Sequence, residues 1–595
     1  MAVTAILGGV LVPVGLPEAG AQEGHAVEAG EDLDIQEIKD LVKTPMLPGG
    51  TLDVAAGASS FASDTPFGAP DLGGGKATGT NVQVSQDQDP NAFLRSGASE
   101  VSIASTLFGL RSVIGWNDGE GFAFAPFVAD QPPLGLSGYG FSSDGGRTWT
   151  DGGAPPLGSK IGFGPGTQGQ SETGIYVARG DPWLDADYRG TYYYANLSVW
   201  EDDAVGPPAG ISVHTGSFRG RNFSWSDSVL VQSPNYPNDF LDKEAMAVDR
   251  RGRDTAIYVT TTNFEETCNV PTNGFGTIEL YRSLDSGDTW DRTIIQPDET
   301  FVTDPDDPAC GTDGIVNQGS APAVGPGGEL YTVWERGWQA PLAGGSVLPR
   351  ATIAFAASRD KGATFMAPVE VASICSGTLD EPAGYNRTAM NDFPRIDVAQ
   401  SGRHRGRIFV TYQDCSAAAG EDAPFAADTD VYVTYSDDKG ATWSTPTPLH
   451  PVADGAQQFW PAVSTGSLGT VDVTYYEMRD VNLTPDPDDI ECSVRVGGTL
   501  DEPVLKESTL TTFSDVMHVR STNGGRTWST PERVTDTSTN CCAATPINSI
   551  IPNFGDYNDS LTTGLLGRTL YATWADGRNA DIVDRVPTAF FGRAR

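Results

Sequence analysis

The chain is poor in positive charge. Its 595 residues include 38 Lys and Arg against 78 Asp and Glu, so the formal net charge is −40. The acidic residues are spread along the chain and are not gathered in one tail. A surface of this charge repels phosphate backbones and anionic headgroups, so we expect neither duplex nucleic acid nor an anionic membrane surface as a partner.

Histidine and cysteine are also scarce, and their spacing excludes common metal and nucleophile sites. The five His form no His-x-x-x-His pattern and no Ser/His/Asp arrangement, which argues against a zinc hydrolase and a serine triad. The seven Cys include no Cys-x-x-Cys spacing, which argues against a zinc site. They are compatible with an oxidising compartment. Neighbouring loops suggest three pairs and one free thiol: Cys268 with Cys310, Cys375 with Cys415, and Cys492 with Cys541 or Cys542.

Long apolar runs are absent as well. Residues 2–16 form the longest candidate, which is too short to span a bilayer. Because the small-x-small sequence Ala19-Gly20-Ala21 follows it, the pattern predicts a signal peptide over residues 1–21 and a secreted protein. The usual basic start of a signal peptide is missing, so an ordinary loose terminus is the alternative. No other segment approaches a transmembrane length.

Glycine and proline are abundant, with 70 and 41 residues, which is typical of many short strands joined by turns. The clearest pattern is the sequence Ser-x-Asp-x-Gly-x-Thr-Trp, which recurs along the chain with small changes. A worn copy at residues 216–223 keeps only the central Gly and a terminal aromatic residue. The five clear copies begin at Ser142, Ser283, Ser358, Ser436 and Ser521.

The residue types of this repeat predict a rigid turn. A carboxylate can accept hydrogen bonds from backbone N–H groups of its own turn, the Gly permits positive φ, and the aromatic residue provides an apolar anchor. We therefore assign a structural role, in hairpin connections, to the acidic or amide residue of each copy. These residues are Asp144, Asp285, Asp360, Asp438 and Asn523.

The repeat is the Asp-box, and the chain resembles the sialidase-like β-propeller families that carry this box, also called the BNR repeat. The resemblance implies an all-β fold, a β-propeller of four-stranded antiparallel blades. Seven pairs of inner strands can be found after residue 97, about 71 residues apart, which favours seven blades. Six blades, as in the sialidases proper, are the alternative if the first and last units share a blade. We expect a flexible extension or strap over residues 22–96 and the propeller over residues 97–595.

The resemblance also implies a site at the mouth of the central channel. Sialidases hold the substrate carboxylate with three Arg and use a Tyr nucleophile that a Glu polarises, because a Tyr with a pKa near 10 needs a neighbouring carboxylate. The comparable catalytic candidates here are Tyr557 and Glu244. The candidates for substrate binding are Arg336, Arg395, Arg479 and Arg578.

One family motif is out of place. The sialidase Phe/Tyr-Arg-Ile-Pro motif belongs before the first box, but the nearest string here is Phe393-Pro394-Arg395-Ile396, in the fifth unit. One alternative is therefore that the Arg and acidic residues pair around the rim and hold adjacent blades in register. A second alternative is a non-catalytic extracellular propeller that binds glycan or protein.

The expected partner is a glycan or glycoconjugate, and the expected state is a monomer. We expect no required cofactor. Calcium is the one ion that the sequence suggests, because Asp304, Asp306 and Asp307 place several carboxylates on a loop constrained by proline. They lack an EF-hand pattern, so solvated loops are the alternative.

Overall fold

The computed structural model describes seventeen segments of the chain, with single gaps at residues 107 and 467 and a two-residue gap at 565–566. No helix is found among these residues, and hence none that could cross a membrane. The segments are residues 79–86, 97–118, 135–162, 174–201, 209–251, 254–265, 276–303, 311–339, 350–375, 393–415, 429–450, 456–480, 491–498, 503–509, 512–540, 554–578 and 588–594.

The described residues fold into seven sheets of four or more strands and one two-stranded hairpin. The short strand β1 (Val82–Gln83) belongs to the last sheet. Sheet one consists of β2 (Ala98–Ser105), β3 (Ser112–Asp118), β4 (Ser137–Ser142) and β5 (Thr150–Gly153). Sheet two consists of β6 (Ile161–Gly162), β7 (Tyr176–Ala178), β8 (Trp183–Ala186), β9 (Thr191–Trp200), β10 (Gly210–Arg219) and β11 (Asn222–Gln232).

The next two sheets follow the same plan. Sheet three consists of β12 (Asp239–Asp249), β13 (Ala256–Glu265), β14 (Thr277–Ser283) and β15 (Asp291–Gln296). Sheet four consists of β16 (Glu299–Thr303), β17 (Gly311–Val324), β18 (Leu330–Gln339), β19 (Arg350–Ser358) and β20 (Val369–Cys375).

The last three sheets complete the fold. Sheet five consists of β21 (Arg395–Val398), β22 (Ile408–Cys415), β23 (Thr429–Ser436) and β24 (Thr447–Pro448). Sheet six consists of β25 (Gln457–Thr465), β26 (Val471–Asp480), β29 (Thr512–Ser521), β30 (Glu532–Arg533) and β31 (Thr539–Asn540), and the hairpin is β27 (Glu491–Gly498) with β28 (Pro503–Thr509). Sheet seven consists of β32 (Asp559–Thr563), β33 (Thr569–Asp576) and β34 (Thr588–Ala594), completed by β1.

Each sheet is a meander in which neighbouring strands are antiparallel, apart from the short parallel pair of β6 and β11. We call β2, β8, β12, β17, β21, β25 and β32 the first strands. Each first strand contacts the first strand of the next sheet, and β32 contacts β2. The sheets therefore close into a ring, and the prediction of an all-β propeller with four-stranded antiparallel blades is confirmed.

The ring is closed by the N-terminal strand. Val82 pairs with Phe591 and Gln83 with Phe590, so β1 becomes the outer strand of sheet seven. Residues 79–86, predicted to lie in a flexible extension, thus belong to the propeller. This pairing supplies the fourth strand of sheet seven and joins the N-terminal strand to the last strand of the propeller.

The five repeated turns have the same geometry. In each turn the Ser hydroxyl accepts the N–H of the Gly four residues on, at 2.7 to 3.0 Å. The Asp or Asn side chain accepts the N–H of the Thr four residues on, at 2.8 to 3.0 Å. The worn copy instead forms a two-residue hairpin in which Arg219 pairs with Asn222.

These turns also join neighbouring sheets. Gly440 has a φ of 87°, and a Cβ added there would lie 2.0 Å from Phe355 of the preceding sheet. Trp443 of the same turn packs against that ring, with centroids 5.2 Å apart. Glycine is thus required twice at this position, for its backbone conformation and for the close approach of the next sheet.

Candidate functional site

The side chain of Lys243 crosses the central channel. Its ammonium group lies 2.9 Å from Glu100 Oε1, 3.2 Å from Asp181 Oδ2 and 2.5 Å from Asp556 Oδ2. Lys243 belongs to sheet three, whereas Glu100 belongs to sheet one and Asp556 immediately precedes sheet seven. Because sheet three is a neighbour of neither sheet one nor sheet seven in the ring, the four side chains meet inside the ring, at its axis. We call these residues, with Asp242 and Glu244, the axial cluster.

Three members of the axial cluster have an unusual backbone conformation. The φ angles of Glu100, Asp181 and Lys243 are 49°, 51° and 52°. Glu100 of β2 and Lys243 of β12 each lie in a bulge, where the pairing of the first strand with the second strand shifts register. A left-handed conformation costs of order 1–3 kcal/mol for a residue other than glycine, and such residues concentrate at functional sites. The same conformation recurs in the bulges of β17 at Gly319 and of β25 at Trp460, so it is a repeated feature of the first strands, and in sheets one to three it positions the charged groups.

The axial carboxyl groups have divergent pKa values. Burial raises the pKa of Glu244 well above its ordinary range, the charges of Asp181 and Asp242 raise it further, and neither carboxyl oxygen of Glu244 has a hydrogen-bond partner among the described residues. Burial also raises the pKa of Asp242 to about 7, although Lys243 opposes this effect. For Asp181, burial is outweighed by the charge of Lys243 and by hydrogen bonds, so its pKa is lowered. One cluster therefore combines carboxyls whose pKa is raised with a carboxyl whose pKa is lowered.

A second set of side chains meets beside this cluster. The guanidinium carbon of Arg395 lies 4.3 Å from the ring centroid of Trp183 and 4.9 Å from that of Tyr557. The three residues come from sheets five, two and seven, so they too meet on the axis. Trp183 and Arg395 are partly exposed, whereas Tyr557 is buried. We call Trp183, Arg395 and Tyr557 the axial stack.

The strand register explains why Arg395 can reach across the channel. Trp183 and Arg395 occupy equivalent positions of their first strands. In each sheet the first residue of the repeated turn, or of its worn copy, pairs with a residue of the second strand, and that residue pairs with one of the first strand. Trp183 and Arg395 each lie three residues before this last residue in the chain. In the four other sheets that carry a clear turn, this position has a small side chain, which leaves room on the axis. These residues are Ser102, Ala245, Ala321 and Ala462.

Tyr557 and Glu244, the two predicted catalytic residues, are both buried next to the axial residues. The hydroxyl of Tyr557 donates a hydrogen bond to the carbonyl of Pro182 at 3.2 Å. Burial raises its pKa well above 10, and the charges of Glu100, Asp181 and Glu244 raise it further. The structure thus brings Glu244 close to Tyr557 but gives the hydroxyl a backbone acceptor and an environment that disfavours its ionised form.

Of the predicted arginines whose side chains are described, Arg395 reaches the axis and Arg336 and Arg578 do not. Arg336 forms a two-bond ion pair with Glu299 of its own sheet, at 2.8 and 2.6 Å. Arg578 bonds to Asp576 and Asp536 at the closure of the ring. The physical reason is their place in the sheet. Arg336 lies in the second strand β18 and Arg578 follows the second strand β33, so both are one strand away from the axis. Arg479 lies in β26, also a second strand, and its side chain is outside the described residues.

The proposed calcium ligands Asp304, Asp306 and Asp307 lie outside the described residues. Within the described segments, no group of three or more His, Cys, Asp or Glu side chains is arranged to hold a metal ion. Of the predicted cysteine partners, Cys375 and Cys415 end β20 and β22, and Cys492 lies in β27. The other four cysteines fall outside the described residues.

Sequence reasoning missed Glu100, Asp181, Lys243, Asp556 and Trp183. A usable signal existed for some of them, since the charged residues Glu100 and Lys243 lie just before the apolar part of a first strand. Asp181 and Asp556 precede their strands in loop-like sequence, where an acidic residue is ordinary. Their approach to Lys243 depends on the closure of the ring, which no local pattern reports.

The fold and the axis define a β-propeller whose channel contains charged and aromatic side chains. No protein-family profile matches the chain, and no curated protein matches it either. Solved structures that resemble it include the α-L-arabinofuranosidase Arb93A of Fusarium graminearum, with 14% identity, a TM-score of 0.38, and coverage of 73% of this chain and 98% of that one. The Trypanosoma rangeli sialidase has 11% identity and a TM-score of 0.35, with coverage of 68% and 56%. A Dyadobacter fermentans protein of unknown function has 14% identity and a TM-score of 0.36, with coverage of 68% and 94%. Similarities of this size say nothing about the chemistry of the site.

Proposed function

We propose that the protein is a secreted, glycan-directed propeller that hydrolyses a glycosidic bond at the axis of its channel. The observation that carries this proposal is the meeting of the axial cluster and the axial stack. Carboxyl groups of different proton affinity are the groups that glycoside hydrolysis needs, one as an acid and one as a base or nucleophile. The secreted location rests on the signal-peptide pattern of residues 1–21.

The residues of the site suggest distinct roles. The aromatic face of Trp183 and the guanidinium of Arg395 are the partly exposed groups, and they suit the apolar face and the polar substituents of a sugar. Burial and the neighbouring carboxylates raise the pKa of Glu244, which suits a general acid, whereas the pKa of Asp181 is lowered, which suits a base or nucleophile. Because Tyr557 bonds to a carbonyl and resists ionisation, two carboxylates are better placed than a tyrosinate for the central step.

The test is turnover of a panel of fluorogenic aryl glycosides that includes a sialoside. The wild-type protein should hydrolyse at least one of them, and Glu244→Gln should lower kcat by roughly 10²–10⁴-fold, the contribution typical of a general acid. Tyr557→Phe distinguishes the two mechanisms: a small effect supports the carboxylates, and a loss comparable to that of Glu244→Gln supports a sialidase-type nucleophile. Lys160→Gln is the control, because the Lys160 side chain is exposed and its ion pair with the exposed Asp288 is long, at 3.9 Å.

A non-catalytic propeller that binds glycan is the second candidate. It is favoured by the burial of the axial ion pairs, since the side chains of Lys243, Glu100, Asp181 and Asp556 are at most 5% exposed. If the wild-type protein hydrolyses nothing in the panel but binds a glycan, and Trp183→Ala abolishes that binding, the hydrolase proposal is wrong and the binding propeller is supported.

A further inference from the structure

An exposed basic patch stands out on this acidic protein. It lies at the turn between β21 and β22, which includes Arg403, His404 and Arg405, and at the fifth repeated turn, which includes Arg526. Arg403, Arg405 and Arg526 are all exposed. The turn between β21 and β22 follows the end of the first strand β21, whereas the axial cluster lies near the beginnings of the first strands. We call Arg403, Arg405 and Arg526 the arginine patch.

The two turns are held firmly together. The buried side chain of Arg407 bonds to both oxygens of Asp437, at 2.8 and 2.6 Å, and donates to the carbonyl of Gly524 in the neighbouring turn. A Cβ added at Gly524 would lie 2.4 Å from the ring of His404, so the turns are in contact. Arg405 donates to the carbonyl of Pro326 at 2.8 Å, which extends the contact toward sheet four. The patch is therefore supported from beneath by Arg407.

The charges around the patch are one-sided. The charged groups that act on His404 are Arg407, Arg526, Arg403 and Asp437, and the arginines and burial together lower the pKa of His404. Asp437, the single acidic group among them, is already paired with Arg407. The guanidinium groups of Arg403, Arg405 and Arg526 are thus exposed and have no acidic partner among the described residues, and Arg405 also donates to the carbonyl of Pro326.

The neighbouring repeated turn has lost its own negative charge. Four of the five turns have Asp at their third position, but the turn beside the patch has Asn523. Asn523 keeps the turn intact, because its oxygen accepts the N–H groups of Arg526 and Thr527 and its amide donates to the hydroxyl of Thr527 at 2.7 Å. The replacement therefore removes a carboxylate next to Arg526 without a change in backbone geometry.

We propose that the arginine patch binds an acidic polysaccharide, through carboxylate or sulfate groups, at a place separate from the channel. The planar guanidinium forms paired hydrogen bonds with both kinds of group. A duplex or an anionic bilayer would present its charges to a much wider area of a protein whose net charge is −40, which opposes their binding. A single polymer strand can contact the patch alone.

The test is binding to immobilised polygalacturonate and dextran sulfate, with neutral dextran and duplex DNA as the comparison ligands. The substitution of Arg403, Arg405 and Arg526 by Gln should weaken binding roughly tenfold or more and should flatten the dependence of log Kd on log salt by about three units. The two anionic polymers distinguish carboxylate from sulfate recognition. Equal binding to neutral dextran, stronger binding to duplex DNA, or no binding to either anionic polymer would overturn the proposal.

Two further variants separate a local site from general electrostatics. Asn523→Asp restores the common residue of the repeat and should weaken binding several-fold while the melting temperature is unchanged or raised. The control variant replaces Arg219, Arg221 and Arg359, in the worn copy and in another repeated turn, by Gln, which removes the same charge from exposed positions. If this control weakens binding as much as the patch variant does, no specific patch exists. Hydrolysis at the channel should be unaffected by all these variants.

Discussion

The hydroxyl of Ser142 shows how much one small side chain can contribute to a repeated turn. It donates to Asp144 Oδ1 and accepts the buried N–H of Gly146, both at 3.0 Å. Replacement of Ser142 by Ala leaves the N–H of Gly146 buried without a partner, which costs about 1–3 kcal/mol. We expect Ser142→Ala to lower the free energy of unfolding by this amount, measured by urea denaturation.

Ser143→Ala is the matched control, because Ser143 occupies a variable position of the same turn. Its effect should stay within about 0.5 kcal/mol, as at most surface positions. Similar midpoints for the two variants would show that the Ser142 hydroxyl has no special role. The turn would then depend mainly on the carboxylate of Asp144, whose pKa is lowered to about 2; burial acts against this shift, but hydrogen bonds from Thr148, Ser142 and Arg147 outweigh it.

At the scale of the strand, the position of a residue within its sheet decides whether it can reach the axis. Glu244, Arg395 and Tyr557 lie on or beside first strands and meet on the axis. Arg336 and Arg578 were also predicted to lie near the axis, but they lie in or just after second strands. There they form ion pairs with carboxylates.

The sequence predicted the propeller because the repeated turn is a local signal that recurs at blade-length intervals. The candidate site was harder to predict, because it depends on contacts between sheets far apart in the chain. Lys243 and Asp556 are more than 300 residues apart, and only closure of the ring brings them together. The strand β1 was missed for a similar reason, since two residues within Gly- and Ala-rich sequence give no periodicity from which to predict a strand.

Arg578 is the central residue of the closure between β1 and sheet seven. It bonds to Asp576 at 2.7 Å, pairs with Asp536 and donates to Asn81 Oδ1 at 3.0 Å. Asp576 is fully buried, so Arg578→Met would leave its carboxylate without an ionic partner, a change that costs about 3–5 kcal/mol. We expect faster amide exchange in residues 79–86 and 588–594, measured by mass spectrometry, together with lower stability.

Arg219→Met is the control for this prediction, because Arg219 is exposed in the hairpin between β10 and β11. It should change neither the exchange rates nor the stability. If Arg578→Met destabilised the protein but left exchange in β1 and β34 unchanged, Arg578 would stabilise sheet seven without holding the closure.

At the scale of the whole molecule, the protein combines a charge of −40 with buried carboxyls that resist ionisation. Burial raises the pKa of Asp242 to about 7 and the pKa values of Asp397, Asp515 and Asp559 to about 6. Between pH 4 and 7 the folded protein therefore holds protons at these positions that the unfolded chain has released. Their contribution to stability is present at pH 4 and is lost as the pH rises through 6 and 7.

Two histidines act in the opposite direction. Burial lowers the pKa of His214 to about 4, and the pKa of His404 is also lowered. Below pH 6.5 the unfolded chain therefore binds protons that the folded protein does not bind, which lowers stability. The four aspartates, joined by Glu244, outnumber them. We therefore expect the melting temperature, measured by calorimetry, to rise as the pH is lowered from 7.5 to 5.

Acidification also reduces repulsion among exposed carboxylates, which would raise the melting temperature as well. A measurement at high salt distinguishes this contribution from that of the buried groups. That repulsion is screened at 1 M NaCl, where the Debye length is about 3 Å, whereas buried groups are screened much less. The rise in melting temperature should therefore persist at 1 M NaCl, and it should be smaller in Asp397→Asn, which cannot titrate at that position. A rise that disappeared in salt would assign the effect to the surface charge, and a fall between pH 7.5 and 5 would mean that the histidines dominate.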